Sequence, residues 1–428
     1  MHDAPYLLIL LVIVAFALVS RRIGNSLLSL PMIFMAAGIA LSVLTPGLVP
    51  MEMQQHLTQT IAEITLIIVL FADASVVKFK TLKRDMAIPA RMLLIGMPLT
   101  IIAGTLLAKW VSPEAAWGTA MLVAAILTPT DAALGQAVVS SPSVPERIRQ
   151  SINVESGLND GLAVPVILAA ALLAAAATGT AVEGAPENLW LFALTQLTLG
   201  PAVGVGLGWG FARLLDRSID NQSITTVYQG ILFLAVAFLT YLVAESVGGN
   251  GFIAVFLGGL TFGNCLRNDT TFIEEFMESE GQLLTIATFT IFGAVMVPLA
   301  LDHASWKTVV LALLYLSVIR MVPIWLSLTG LGLSRYEKFF LGWFGPRGLA
   351  SILFALLIYD EYPIPGSDEI LACVVLTVMI SVVLHGVSAQ PMAQRFLHRA
   401  AGELPDAPRS SSPTAKPLAQ DDDGSHHP

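Results

Sequence analysis

The chain is short of charge. Asp, Glu, Lys and Arg make up only 12% of its 428 residues, against about a quarter in soluble domains. That scarcity excludes an ordinary water-soluble globule. Cysteine is scarce too: Cys265 and Cys373 are the only two, and both fall in or beside apolar runs. This argues for inert core residues over a disulfide or a thiolate metal site. No strongly basic stretch exists to hold nucleic acid. No basic residue precedes the first apolar run, Tyr6 to Val19, and no small-x-small cleavage site is evident; Arg21 and Arg22 follow instead. The pattern predicts a first transmembrane helix with its N-terminus outside, not a signal peptide. The net charge of −9 says little, because several acids sit in the polar tail.

What is present is hydrocarbon. Apolar residues make up 55% of the chain. Apolar runs of about 20 residues recur along it, each long enough to cross roughly 30 Å of hydrocarbon. Thirteen helices are expected, at 5–20, 27–44, 57–77, 87–108, 115–139, 149–177, 188–214, 224–245, 250–264, 272–299, 305–330, 337–358 and 369–394. With the N-terminus outside, the cytoplasmic connections hold fifteen Lys and Arg residues, from Arg21 to Arg399. The opposite side holds two, Lys109 and Lys307. That asymmetry supports the alternation and puts the C-terminus in the cytoplasm. From about Ala400 the chain turns polar and acidic, which predicts a disordered tail over 400–428.

Ionisable groups inside spans are costly, and they mark ion pathways or paired structural sites. Four acids lie well within helices: Asp73, Asp131, Glu155 and Asp160. Arg320 and Arg347 lie near the middle of helices eleven and twelve. Arg91, nearer the cytoplasmic end of its helix, can snorkel, and Glu63 and Glu245 can do likewise on the outer side. Two arginines cannot pair four acids, so at least one acid is left to bind protons or cations.

Helix five reads AAILTPTDAALGQ. Pro129 removes a backbone donor in mid-span and disfavours helix at Thr128. A break there, beside Thr130 and Asp131, offers carbonyl oxygens and half-helix ends near the bilayer midplane. A simple proline kink is the plainer alternative. Helix six reads NVESGLNDGLAVP, with Ser156 and Asp160 on one face and Glu155 with Asn159 on the next. Asp160, Ser156, Asp131 and the Thr130 region could supply the oxygens that a hard monovalent cation needs. Glu155 is better turned for an arginine. Helix twelve reads FLGWFGPRGLAS, and Gly342, Gly345, Pro346 and Gly348 should interrupt it close to mid-span. Helices four to six and eleven to thirteen thus match as an inverted pair, each broken in its middle member. That is the pattern of a transporter site at a repeat interface.

Four segments carry a resemblance: TPTD at 128–131, ESGLND at 155–160, AESVGGNGFIAVFLGGL at 244–260 and GPRGLAS at 345–351. With Arg320, they resemble the cation/proton antiporter family that includes bacterial, archaeal and animal sodium/proton exchangers. The resemblance implies an all-α polytopic membrane protein over 1–399. A core of 87–178 and 304–395 would move like an elevator against a dimerisation domain of 1–80 and 187–300. It implies a homodimer in the bacterial inner membrane, exchange of Na⁺ (or Li⁺ or K⁺) for H⁺ in pH homeostasis, no cofactor, and no enzymatic reaction. By resemblance, Asp160 carries cation and proton in turn, and Asp131, Ser156 and the backbone around Thr130 help coordinate the cation. Asn159 goes with electroneutral one-for-one exchange. Glu155 pairs with Arg320, Arg347 offsets partial charges where the broken helices cross, and Asp73 supports the site through water. Two positions depart from the usual pattern, Gly157 and Pro346, and both bear on which cation is taken.

Two other classes remain to weigh. A sodium-coupled solute symporter would use a broken-helix pair equally well, whereas a channel would need a continuous polar lining that the single depth of polar residues denies it. An intramembrane protease could use paired aspartates, but the Gly-x-Gly-Asp run of such enzymes is missing.

Overall fold

The computed structural model describes residues 4–23, 28–44, 51–131, 133–139, 141–177, 186, 188–268, 271–362, 364 and 366–403. Among them the regular structure is helical, with no strand. In hydrocarbon each helix satisfies its own backbone, which is why a chain this apolar folds this way. Among the described residues, seven helices are long and apolar enough to cross a membrane, and five more are apolar but shorter.

The helices follow the expected order with shifted ends. The first spans Ala4–Ile23 and the second Leu30–Leu44. The third begins earlier than expected, at Met51, and ends at Ser75. A short helix, Phe79–Asp85, occupies what the sequence reads as a connection. The last helix runs Ser367–Glu403, so its end overruns the expected start of the tail at Ala400. Residues 404–428 of that expected tail lie outside the described residues.

Prolines bend the ladder at two matching places. Pro98 follows the π turn Met92–Gly96, and Pro298 follows the π turn Phe292–Met296. The missing proline N–H frees a carbonyl in the preceding turn, and one wider turn absorbs the mismatch. At each turn's end the next N–H reaches back five residues, Met97 to Met92 and Val297 to Phe292.

Small residues set the close packing. Gly200, Gly204 and Gly208 of the helix Leu189–Asp220 lie against the backbone of Asn250, Ala254 and Gly258. The latter belong to or cap the short helix Gly251–Cys265. This four-residue spacing lets two backbones meet where lipid gives no hydrophobic drive. On another face the short helix meets Phe71 and Ser75 of the helix Met51–Ser75 through Gly259 and Gly263. A third face turns to the long acidic helix Glu146–Ala176. There the Phe256 ring packs directly on Gly157, and Ile253 packs on Gly161. Gly157, a departure from the resemblance, is thus the space that Phe256 fills.

Candidate functional site

Two helices are interrupted at one depth and cross there. In the first, helix Trp117–Ile126 ends, the chain runs without regular structure through Thr128 to Asp131, and a 3-10 turn at Ala133–Gly135 leads into Gln136–Val139. In the second, helix Arg335–Trp343 ends, residues 344–348 are irregular, and helix Leu349–Glu361 begins. Both breaks fall where Pro129, and Gly345 with Pro346, predict them, whereas Gly342 stays within the helix Arg335–Trp343.

A break leaves carbonyls and N–H groups without intrahelical partners, and burial makes each one costly. Here each break satisfies the other. The Asp131 N–H donates to Pro346 O (2.8 Å), and the Leu349 N–H donates to Asp131 Oδ2 (3.0 Å). The Arg347 guanidinium donates through Nη1 to Thr128 O and to Pro129 O (3.0 Å for the latter). The Ser351 hydroxyl donates to Ile126 O at 2.9 Å. Arg347 therefore neutralises the carbonyl end of the first half-helix. Asp131 caps the positive start of the helix Leu349–Glu361. Gly348 has to be glycine here, because a Cβ would collide with the Asp131 carboxylate.

The second break is held from behind by two residues that sequence reasoning missed. Ser381 Oγ accepts from the Arg347 N–H at 2.7 Å. His385 lies 3.0 Å from Ser381 Oγ through Nδ1 and 2.9 Å from Trp343 O through Nε2. A carbonyl can only accept, so Nε2 donates to Trp343 O, while Nδ1 lies 3.0 Å from both the hydroxyl and the carbonyl of Ser381. One imidazole thus joins both sides of the break. Its only sequence signal was a histidine inside an apolar run.

Against this crossing stands the long acidic helix. Asp160 is 2% exposed, and its Oδ1 has no hydrogen-bond partner among the described residues. Asp131 and Glu155 both lie within electrostatic reach of it. Thr130 is the hub of the hydroxyl groups. Its Oγ1 lies 2.9 Å from Ser156 Oγ, accepts from Asn159 Nδ2 at 2.8 Å, and lies 3.3 Å from Glu155 Oε2. Thr128 turns its hydroxyl back to Ala124 O instead. Asp73, on the helix Met51–Ser75, is half-buried and close enough to Asp131 for their charges to interact.

Glu155 takes its arginine. Arg320 Nη1 and Nη2 donate to Glu155 Oε1 and Oε2 at 2.8 and 2.9 Å, a bidentate pair whose members are both 3% exposed. Arg320 follows an interruption that the sequence did not signal, where Trp306–Leu316 gives way at Ser317 to Val318–Ser327. Its guanidinium lies over Gly345, where a Cβ would strike it. The pair therefore ties the acidic helix to the second break. Thr130, Ser156, Asn159 and Glu155 are joined by hydrogen bonds, Asp131 and Arg347 join the two breaks, and Asp160 and Asp73 lie within electrostatic reach of Asp131. Among the described residues, no group of three or more His, Cys, Asp and Glu side chains is arranged to hold a metal ion.

The sequence profile of a family described as sodium/hydrogen exchanger, transmembrane, matches residues 7–395. A K(+)/H(+) antiporter of Shewanella sp. (strain ANA-3) is 25% identical over 391 residues, 91% of this chain and 65% of that protein. A K(+)/H(+) antiporter of Alkalimonas amylolytica is 26% identical over 386 residues, 90% and 65% of the two chains. A Na(+)/H(+) antiporter of Bacillus atrophaeus is 26% identical over 284 residues, covering 65% of this chain and 52% of the relative. The chain thus matches just under two thirds of the length of the first two relatives and about half of the third. The solved structure of a sodium proton antiporter from Methanocaldococcus jannaschii has the same fold, with a TM-score of 0.72, 19% identity, and coverage of 92% of this chain and 97% of that one.

Proposed function

The chain belongs to the sodium/hydrogen exchanger family, and from that premise we propose that it exchanges Na⁺ for H⁺ across a membrane. The observation that carries the reading is the Asp160 carboxylate. It is shut away from water, one of its oxygens has no donor, and it sits where two interrupted helices cross. A carboxylate so placed is costly as a bare anion. It is relieved by a proton or by a cation, and the two compete for one group. A neighbouring carboxylate strengthens that competition, so Asp131 and Asp160 titrate as a pair rather than singly.

In this reading Asp160 carries the load. Asp131, Ser156 and Thr130 lend oxygens to the dehydrated cation, and Asn159 holds the Thr130 hydroxyl toward them. Glu155 with Arg320 and Arg347 with Thr128 and Pro129 keep the frame, and Asp73 supports the site through water. One carboxylate trading one proton for one monovalent cation moves no net charge, which favours electroneutral exchange. Transport follows from moving the core, residues 87–178 and 304–395, past a scaffold of residues 1–80 and 187–300. We further propose a homodimer held through that scaffold in a bacterial inner membrane, with the N-terminus outside.

The test is transport in vesicles. Asp160→Asn should abolish the cation-dependent collapse of an imposed pH gradient while the protein still elutes as a folded species. Near-normal exchange in that variant would sink the mechanism. K⁺ is the second cation to try, because relatives named for K⁺ stand beside one named for Na⁺. Adding each alkali cation in turn, with and without a clamped voltage, separates these and reads the charge balance.

A further inference from the structure

The short helix Phe79–Asp85 joins the helix that ends at Ser75 to the span Ala87–Val111, at the end opposite Lys109. It is thus the piece of chain that links the proposed scaffold to the proposed core. The scaffold holds its start. Asn264 Oδ1 accepts from the Phe79 N–H at 2.9 Å, and Asn264 Nδ2 donates to Val77 O at 2.8 Å. Leu82 anchors its middle, buried in an apolar cluster with Val154 of the acidic helix and with Phe256 and Leu260 of the glycine-rich one.

The side turned away from Leu82 is basic. Lys78, Lys80, Lys83 and Arg84 are all exposed. Asp85 is the one acid between Ser75 and Ala87, and Arg84 takes it at 3.1 Å. Lys78, Lys80 and Lys83 have no ion-pair partner among the described residues. Lys80 stands three and four positions from Lys83 and Arg84, so the three share a side of the helix, where like charges repel. A counter-charge from outside the chain relieves them. Beside these residues Val76, Phe79 and Met86 are exposed as well. Lys and Arg gathered directly after a membrane helix attract anionic lipid headgroups. The apolar side chains favour a lipid over a soluble anion, because they match the part of the lipid just below its phosphate.

We propose that this face of the linking helix holds the headgroup of an anionic phospholipid, with Lys78, Lys80 and Lys83 on its phosphate and Phe79 against its glycerol. A lipid seated there fixes the linker at the membrane surface, between the fixed body and the moving one. Its place between scaffold and core rests on the division proposed above; the binding itself does not.

The test uses the full chain in a nonionic detergent, titrated with dioleoyl phosphatidylglycerol or dioleoyl phosphatidylcholine, with bound lipid counted by native mass spectrometry. Phosphatidylglycerol should bind tighter than phosphatidylcholine. Lys80→Gln and Lys83→Gln should each weaken it about fivefold, the effect of one basic residue at an anionic surface, and leave phosphatidylcholine unchanged. Arg335→Gln removes an exposed charge from the start of the helix Arg335–Trp343 and should change neither. Inorganic phosphate should not displace the lipid. Asp160→Asn should bind lipid as wild type does, so failure of exchange and failure of this site are read apart. Equal binding of the two lipids by the wild type would overturn the proposal. An equal loss in Arg335→Gln, displacement by phosphate alone, or a preference that survives Lys78→Gln/Lys80→Gln/Lys83→Gln would do the same.

Discussion

Glu155 and Asp160 stand five residues apart on one helix, both buried, and their surroundings divide their tasks. Glu155 receives two guanidinium hydrogen bonds from Arg320 and sits 3.3 Å from the Thr130 hydroxyl. Asp160 keeps an oxygen that no described residue binds. A buried pair broken on one side leaves an uncompensated charge, which costs about 3–5 kcal/mol, whereas replacing both members by apolar groups costs far less. Arg320→Met should therefore unfold at a markedly lower temperature. Adding Glu155→Leu should restore much of the loss, and thermal unfolding in detergent measures both. If the double variant were as unstable as the single one, the pair would not be the source. The acids and arginines were legible in the sequence because each is a charge where hydrocarbon was expected. Ser381 and His385 were harder to find, since a serine in a helix can bond its own backbone and gives no sign of a distant partner.

At the scale of the element, the second break is a bridge with two abutments. Trp343 O and the Arg347 N–H flank it, and His385 and Ser381 of the last helix hold one each. His385→Ala should remove one of the two donors to the Trp343 carbonyl, which keeps the Gly345 N–H at 2.8 Å, and cost about 0.5–1.5 kcal/mol, the net worth of one hydrogen bond. The loosened break should raise the cation concentration needed for half-maximal exchange. Equal loss of stability with an unchanged cation dependence would assign His385 to folding alone. Away from the crossing, the Lys307 hydrogen bond holds the Glu114 carboxyl below its ordinary range. A lowered carboxylate contributes stability that is present above the ordinary value and is lost as pH falls through the lowered one. Lys307→Met should thus be slightly less stable than wild type at neutral pH, with the difference vanishing in acid. Melting curves across pH check the sign. Breaks were readable at this scale because proline and glycine announce them. The interruption at Ser317 was not, since Leu316, Ser317 and Val318 carry no such mark.

For the whole molecule, the proposed movement of the core past the scaffold needs a seam. The long acidic helix meets the short glycine-rich helix through Gly157 and Gly161, with Phe256 and Ile253 seated on them. Gly157→Leu should put a side chain in the way of Phe256 and slow turnover, while the cation affinity of the resting protein changes little. Exchange rate and cation dependence in vesicles separate those two quantities. A normal rate would mean that this seam does not move. Helix order and the site were legible because membrane insertion leaves few arrangements for apolar runs and buried charges. Packing seams were not, since they depend on which glycine faces which neighbour. The crossed breaks have a consequence for descent as well. Asp131 and Pro346, Leu349 and Asp131, Arg347 and Thr128 complete one another across the two halves. A change that straightened one helix would strand the groups of the other, so a variant that mends one interruption calls for a matching change in its counterpart.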